Sequence, residues 1–361
     1  MPQSTVSFRL DINRGNAIID YIRTTASPRL LSNELFGPLM TITLYLGIII
    51  AVFGTGANIV TITVYRRLGF VDTSNISLTA LAISDLFVSI TTLISVLSLV
   101  LLGTISNIPF TYEIFVPISA SAHVSFSRVS ALITAFLSTE RYLCVLVPLK
   151  IKSLITPKRT FTVMVILFVA GFIRWPLDFI IFPIRWRYFP SLNRTLLGAI
   201  ASTDQTAVIL RGFNQGYYVY LLPPLTFTIV LVCTILLSIS LHRSKAWRDA
   251  NKSTPSNASA TSAAEKPNLQ QSKEAKAVKL VITIATVFII ATIPSSIHLI
   301  AVTTVPGFDV GGRYVNMWAL MGVVYNIVDC MNCGANVIIY FNMSSKFRQA
   351  TLELFSRRCR K

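Results

Sequence analysis

At residues 133–143 the sequence runs Ile133-Thr134-Ala135-Phe136-Leu137-Ser138-Thr139-Glu140-Arg141-Tyr142-Leu143, an apolar segment that ends in an acid, a base and an aromatic residue. It lies in a stretch without proline from residue 118 to residue 147. A helix of about 30 residues is about 45 Å long, which is enough to cross a bilayer. Its polar residues recur at spacings of three and four and so share one helix face: His123, Ser127, Ser130, Thr134, Ser138 and Arg141. The segment therefore predicts a membrane-spanning helix with one polar stripe from end to end.

Composition extends this prediction to the whole chain of 361 residues. Hydrophobic residues make up 53% and charged residues only 13%, whereas soluble domains carry about 25% charged residues. Seven apolar runs are long enough to span a membrane, at residues 39–65, 76–102, 117–147, 161–181, 217–241, 278–302 and 317–340. We therefore expect an all-α membrane protein, a seven-transmembrane helix bundle.

The distribution of Lys and Arg predicts the orientation of the bundle. Twenty-one of these residues fall in segments on one side of the membrane and nine on the other, and the richer side is normally cytoplasmic. This predicts an extracellular N-terminal tail over 1–38, a transmembrane domain over 39–341 with a flexible cytoplasmic loop over 243–276, and a cytoplasmic end over 342–361. The basic charge then faces anionic membrane lipid, so we expect no nucleic acid partner.

The cytoplasmic end and one outer loop carry candidate modification sites. Around Phe347 the sequence predicts a short amphipathic helix on the membrane surface, and Cys359 in its basic end is a candidate lipidation site. A plain basic tail is an equal alternative. Asn193-Arg194-Thr195 is the only N-glycosylation sequon on the predicted outer side, so we expect a glycan at Asn193.

Polar residues within three spans indicate a shared polar interior. Asp85 lies in the second span and Asn58 in the first. In the seventh span a single face carries Tyr325, Asp329, Asn332, Asn336 and Tyr340. Ionisable residues at this depth are costly, which favours a functional role over simple helix–helix adhesion. Pro224 (or Pro223) and Pro294 are expected to kink the fifth and sixth spans.

In this order the motifs resemble those of rhodopsin-like G protein-coupled receptors, over roughly residues 56–355. They are Gly56-Ala57-Asn58, Leu81-Ala82-Ile83-Ser84-Asp85, Glu140-Arg141-Tyr142, Phe288 with Pro294, and Asn336-Val337-Ile338-Ile339-Tyr340 followed by Phe347-Arg348. The chain departs from the family pattern at Val337 and Thr292, where the family usually has Pro and Trp. It is similar to divergent invertebrate receptors, either FMRFamide-type peptide receptors or molluscan chemosensory receptors.

No cysteine falls on the predicted outer side, so the family's disulfide between the third span and the second outer loop cannot form. The five cysteines are Cys144, Cys233, Cys330, Cys333 and Cys359. We therefore expect residues 182–215 to be tethered only by packing and to move more freely than in typical family members.

The resemblance implies roles for individual residues. It implies that Glu140 restrains Arg141, that Arg141 contacts a heterotrimeric G protein on activation with Tyr142 beside it, and that Tyr340 swings inward. It also implies a water- and sodium-binding relay made by Asn58, Asp85, Asn332 and Asn336. No other cofactor is implied.

The stripes of the third and seventh spans predict the ligand pocket, which would contain His123, Ser127, Asp329 and Tyr325. Arg128 lies about 140° from His123 around the helix, so we expect it to contact a neighbouring helix in a structural role. Nine basic against six acidic residues on the outer side favour an extracellular peptide or small polar cue over a monoamine. An endogenous neuropeptide and an environmental cue both remain open.

Other classes of membrane protein fit the sequence less well. An opsin needs a lysine in the seventh span, and residues 317–340 contain none. With only three histidines and no cluster of carboxylates, the sequence indicates no catalytic residues, no metal enzyme and no other enzyme. A seven-helix transporter is a remote alternative because no inverted repeat is evident. We expect a multi-pass receptor of the plasma membrane.

Overall fold

The protein is described here by a computed structural model, which covers residues 31–104, 108–189, 193–252, 265–309 and 312–358. Seven helices in these ranges are long and apolar enough to cross a membrane. They are the first to seventh spans: Glu34–Leu68, Thr73–Leu102, Val116–Leu146, Pro157–Ile181, Gln205–Arg243, Ala275–Thr304 and Val315–Met343. The predicted seven-helix membrane bundle is therefore confirmed, and a further helix follows the last span.

Some spans consist of more than one helical segment, and some helices continue beyond the end of their span. The α-helices are Asn33–Leu68, Thr73–Thr104, Ser121–Leu146, Pro148–Leu154, Pro157–Phe172, Arg174–Ile181, Gln205–Asn214, Leu222–Lys252, Glu265–Thr304, Val315–Met343 and Ser345–Arg358. Tyr112–Ile114 is a 3₁₀ turn, and π-helical turns at Val116–Ala120 and Gln215–Leu221 lie within the third and fifth spans. Strands β1 (Ile184–Phe189) and β2 (Arg194–Ala199) form a hairpin between the fourth and fifth spans.

Local chemistry explains several helix ends. The Ser32 hydroxyl accepts a hydrogen bond from the Leu35 N–H at 3.4 Å and caps the first span. That span ends at Gly69, whose φ of 81° suits a residue without a side chain. Thr156 caps the fourth span and Pro157 fills its first turn. Such polar caps lie outside the apolar runs, which is why the observed helices extend beyond the predicted spans.

The structure differs from the predicted flexible loop over 243–276. The fifth-span helix continues to Lys252, and the sixth-span helix begins at Glu265. Alanine, lysine, glutamate and glutamine are common in these extensions, and all four favour helix. The rest of the predicted loop, residues 253–264, lies outside the described residues.

Two glycines let spans approach each other closely. A Cβ atom on Gly171 would lie 2.4 Å from Val129, so the fourth span contacts the third almost backbone to backbone. A Cβ atom on Gly54 would lie 2.7 Å from the Ser89 hydroxyl, where the first span meets the second. Large apolar side chains such as Ile49 and Phe161 instead face outward and remain more than half exposed, as expected for a surface in contact with lipid.

Backbone hydrogen bonds fasten the outer hairpin to the loop that precedes the third span. Thr111 N–H donates to the Leu197 carbonyl at 2.8 Å, and Leu197 N–H donates to the Pro109 carbonyl at 2.9 Å. At the far end of the hairpin, Ser202 N–H donates to the Ile181 carbonyl at 2.8 Å. The prediction that packing alone tethers this segment is therefore wrong. Backbone hydrogen bonds leave no mark in the pattern of side chains, so the sequence did not reveal this short ladder.

A buried polar cluster joins the fourth and fifth spans. The Asp178 carboxylate accepts from Arg174 Nε at 3.2 Å and from Asn214 Nδ2 at 2.8 Å. The Tyr218 hydroxyl donates to the Ala170 carbonyl at 2.9 Å and accepts from the Arg174 N–H at 3.0 Å. Since Asp178 and Tyr218 are almost fully buried, these bonds fix the outer ends of the two spans relative to each other.

Candidate functional site

The predicted Glu140–Arg141 pair forms at the C-terminal end of the third span. Arg141 Nη2 lies 3.2 Å from Glu140 Oε1, and the same guanidinium group donates to the Ser74 hydroxyl. Thr73 donates to Glu140 Oε1 at 2.9 Å. The sequence did not point to Thr73 or Ser74, because they sit at the first turn of another span. Together these contacts hold the end of the third span against the second.

One acceptor in this cluster is left without a partner. Glu140 is 2% exposed, and its second carboxylate oxygen, Oε2, accepts no hydrogen bond. Leaving a buried carboxylate oxygen unsatisfied costs free energy. Replacing this ion pair by another contact therefore costs less free energy than replacing a pair in which every carboxylate oxygen accepts a hydrogen bond.

Tyr340 occupies a buried aromatic cluster at the same end of the bundle. Its ring contacts Tyr65 of the first span, with centroids 5.6 Å apart, and Phe347 of the last helix, at 5.5 Å. The side chain is fully buried, but the hydroxyl has no hydrogen-bond partner. Tyr142, by contrast, is only partly buried at the helix end. The ring of Tyr340 is thus well packed while its polar atom is not satisfied.

The structure brings Asp85 together with the third and seventh spans. Ser130 donates to Asp85 Oδ1 at 2.7 Å, and Asn336 Nδ2 donates to Oδ2 at 2.8 Å. The Cys333 thiol also lies against this carboxylate. Asp85 and Ser130 have no more than 5% of their surface exposed. This arrangement is a three-helix connection at the centre of the bundle, and Cys333 is a member of it that sequence reasoning missed.

Two residues of the predicted relay lie near this centre without bonding to Asp85. Asn58 Nδ2 donates to the backbone carbonyls of Gly54 at 3.0 Å and Cys333 at 3.4 Å. Asn58 therefore joins the first span to the seventh through the backbone. Asn332 is buried, but among the described contacts none links it to the carboxylate.

In the outer half of the bundle, His123 connects the second, third and seventh spans. Its Nδ1 lies 3.0 Å from the Thr92 hydroxyl and its Nε2 lies 3.4 Å from Asp329 Oδ2. The latter contact is close enough for an ion pair but lacks hydrogen-bond geometry, so Nε2 is buried without a hydrogen-bond partner. Ser127 also lies beside the Asp329 carboxylate. Three of the four predicted pocket residues thus meet in one place.

Tyr325 and Arg128 complete this outer polar group. Tyr325 interacts electrostatically with both Arg128 and Asp329, and its ring lies 5.1 Å from the His298 ring of the sixth span. Arg128 interacts electrostatically with Asp329, Tyr325 and Arg174. Arg128 therefore interacts with two neighbouring helices, the fourth and seventh spans, and its structural role stays a prediction.

The remaining predicted sites are the two candidate modification sites. Asn193 is exposed at the turn of the hairpin, where its φ is 48° and its Oδ1 accepts from the Tyr188 hydroxyl at 2.8 Å. Its Nδ2, the atom that would carry a glycan, remains available in this contact. Cys359 lies outside the described residues. Glycosylation and lipidation both remain predictions.

Comparison with known proteins identifies the family of this chain. No curated protein matches the chain. The family model described as the 7 transmembrane receptor (rhodopsin family) matches residues 56–340. That region contains the Glu140–Arg141 pair, the Asp85 centre and the His123–Asp329 contact, and it makes up most of the chain. The protein therefore belongs to the rhodopsin family of seven-transmembrane receptors.

Proposed function

We propose that this receptor binds an extracellular peptide or small polar chemical cue and activates a heterotrimeric G protein. The proposal places it in the plasma membrane with the N-terminus outside. The observation that carries the proposal is the Glu140–Arg141 pair, because its bonds to Thr73 and Ser74 join two spans at the end of the bundle that carries most of the basic residues. A receptor needs an element there with two alternative arrangements.

The chemistry of the pair suits such an element. In the arrangement described, Arg141 donates to Glu140 and Ser74 and so keeps the third span against the second. Separating them would free the guanidinium group to donate to carbonyl groups of a protein bound at the cytoplasmic face. Because Glu140 Oε2 is already without a partner, separating Arg141 from Glu140 costs less free energy than separating a fully hydrogen-bonded pair.

The Asp85 centre fits a sodium ion in part. Asp85 and Ser130 offer hard oxygen ligands, which suit an alkali cation, whereas the Cys333 sulfur is soft and does not. Asp85 and Ser130 would hold the ion, which would add positive charge between the second and third spans. We therefore propose weak sodium binding at this centre.

The proposal is tested by nucleotide exchange on purified heterotrimeric G protein, with membranes that contain matched amounts of each receptor variant. Glu140→Gln removes the charge of the restraining group, and a charged hydrogen bond is worth about 1.5–3 kcal/mol. We expect basal exchange to rise about tenfold, the low end of that range, because Ser74 still holds Arg141. Arg141→Ala should abolish exchange.

Arg67→Ala is the matched control. Arg67 is an exposed arginine at the cytoplasmic end of the first span, and its removal should leave exchange close to the wild-type rate. Wild-type exchange in Arg141→Ala at equal surface expression would contradict the proposal.

A further inference from the structure

Arg128 of the third span is a partly buried cation with one buried N–H group that has no acceptor. Its Nε is buried and has no hydrogen-bond partner. Among the described residues no carboxylate comes close enough to form an ion pair with it, although Asp329 acts on it electrostatically. A guanidinium group carries five N–H donors in a fixed fork. This residue therefore presents donors to the interior without an acceptor for its buried Nε.

The nearest carboxylate is already engaged by other groups. Asp329 lies 3.4 Å from His123 Nε2, and Ser127 lies beside it. The cation on the other side, Arg174, is bonded to Asp178 at 3.2 Å and adds positive potential at Arg128. Neither Asp329 nor Asp178 therefore pairs with Arg128, and its buried Nε has no acceptor.

A guanidinium group with a buried N–H that lacks an acceptor destabilises a membrane protein. A bound molecule that supplies the missing hydrogen-bond acceptor removes this cost. A carboxylate matches the guanidinium fork in geometry as well as charge and accepts two parallel hydrogen bonds from it. An ammonium group would be repelled by Arg128 and would have to compete with His123 and Ser127 for Asp329.

We propose that Arg128 is the anchor for a carboxylate of the ligand. This inference rests on the proposed function, since it assumes that the outer interior is where the ligand binds, and it narrows the ligand to an acid. Asn326, one turn from Asp329 on the seventh span, has a buried Oδ1 without a partner. It accepts a hydrogen bond from an N–H or O–H group of the same ligand, so a peptide C-terminus or an amino or hydroxy acid has the required chemistry.

The test uses thermal unfolding of the purified receptor in detergent with three small probes. N-acetylglycine carries a carboxylate and an amide N–H, N-acetylglycinamide is its neutral analogue, and glycinamide carries an amine and no carboxylate. Millimolar N-acetylglycine should raise the Tm of the wild type, and the other two probes should not. Arg128→Gln should abolish this shift, while Arg128→Lys should weaken apparent affinity about tenfold, because a point charge replaces the fork.

Arg128→Met supplies a readout that needs no ligand. It replaces the unpaired cation by an apolar side chain that fills part of the same space, so the ligand-free variant should unfold at a Tm a few degrees above the wild type. Arg185→Gln, which changes an exposed arginine of the hairpin, is the control and should keep the wild-type response to every probe.

Three results would overturn the proposal: stabilisation by glycinamide but not by N-acetylglycine, an undiminished N-acetylglycine shift in Arg128→Gln, or no shift with any probe. The nucleotide-exchange assay separates this failure from failure of the proposed function. If Glu140→Gln and Arg141→Ala behave as expected while N-acetylglycine has no effect, the receptor function stands and only the carboxylate anchor is wrong.

Discussion

A disulfide placed between Thr111 and Gly198 should lock the outer hairpin where backbone hydrogen bonds now hold it. A Cβ atom on Gly198 would lie 4.0 Å from the Thr111 Cβ, within the roughly 3.5–4.5 Å that disulfides require. Gly198 lies within strand β2 and is not among the described residues with positive φ, so a cysteine there fits the backbone. Thr111→Cys with Gly198→Cys is therefore expected to oxidise during passage through the secretory compartments.

The backbone hydrogen bonds that now hold the hairpin set the scale for the expected gain in the free energy of unfolding. Two backbone hydrogen bonds, between Thr111 and Leu197 and between Leu197 and Pro109, contribute about 1–3 kcal/mol together. A crosslink from residue 111 to residue 198 closes a loop of about 90 residues, for which chain entropy gives between 4 and 5 kcal/mol. Because the third and fourth spans lie inside this loop and keep their helices when the bundle opens, we expect the lower figure of about 2–4 kcal/mol.

The measurement is the Tm of the double variant with and without a membrane-impermeant reductant. Oxidised, it should unfold several degrees above the wild type, and reduction should remove the difference. The wild type should not respond to the reductant, since the sequence has no cysteine in its outer segments. Each single cysteine variant is the matched control and should also show no response. A double variant that keeps two free thiols under oxidising conditions would refute the placement of the hairpin beside residues 109–111.

Two further predictions concern the surface and the centre of the bundle. Asn193→Gln should remove the glycosidase-sensitive mass shift completely, whereas Thr195→Ser, which keeps the sequon, should retain it; a shift left in Asn193→Gln would show that another sequon faces outward. Cys333→Ser replaces a soft ligand beside Asp85 by a hard one, so the sodium concentration for half-maximal thermal stabilisation should fall several-fold. Asp85→Asn should abolish the sodium effect, and an unchanged midpoint in Cys333→Ser would exclude this side chain from the ion site.

The seven spans and the Asp85 centre could be predicted because their signals are local and strong. Long apolar runs mark spans whatever their neighbours are, and a carboxylate in such a run must find partners in the interior. Ser130 and Asn336 each lie on a polar stripe at helical spacing, so their convergence on Asp85 follows from the stripes. Span ends were less well predicted, because caps such as Ser32 and Thr156 are polar residues outside the apolar run.

Contacts that depend on the path of the backbone could not be predicted in this way. The hairpin ladder uses main-chain groups of Thr111 and Leu197, which every residue except proline carries. The Asp178 cluster joins a carboxylate near the end of the fourth span to Asn214, 36 positions away, on a helix that the apolar run did not include. Neither sequence segment has a repeating polar pattern that would reveal its partner.

Arg128 shows why helical angle alone does not locate a long side chain. The angle of about 140° from His123 describes where the Cα atom points, but arginine carries its charge several bonds away and can direct it around the helix. It interacts electrostatically with Arg174 of the fourth span and Asp329 of the seventh, and its Nε is buried. For Lys and Arg the helical wheel therefore predicts the direction of the stem and not the location of the charge.

Whether buried polar atoms have hydrogen-bond partners varies with depth in the bundle, and this variation bears on how the receptor changes shape. At the centre, both oxygens of Asp85 accept hydrogen bonds. Toward the end of the bundle that carries the hairpin, Arg128 Nε has no partner, and toward the opposite end Glu140 Oε2 and the Tyr340 hydroxyl have none. A buried group without a hydrogen-bond partner loses no hydrogen bond when the helices move. Breaking the Asp85 centre would instead leave buried polar atoms on three spans unpaired. Rearrangement therefore costs least free energy at the two ends of the bundle, with the Asp85 centre as the fixed point between them.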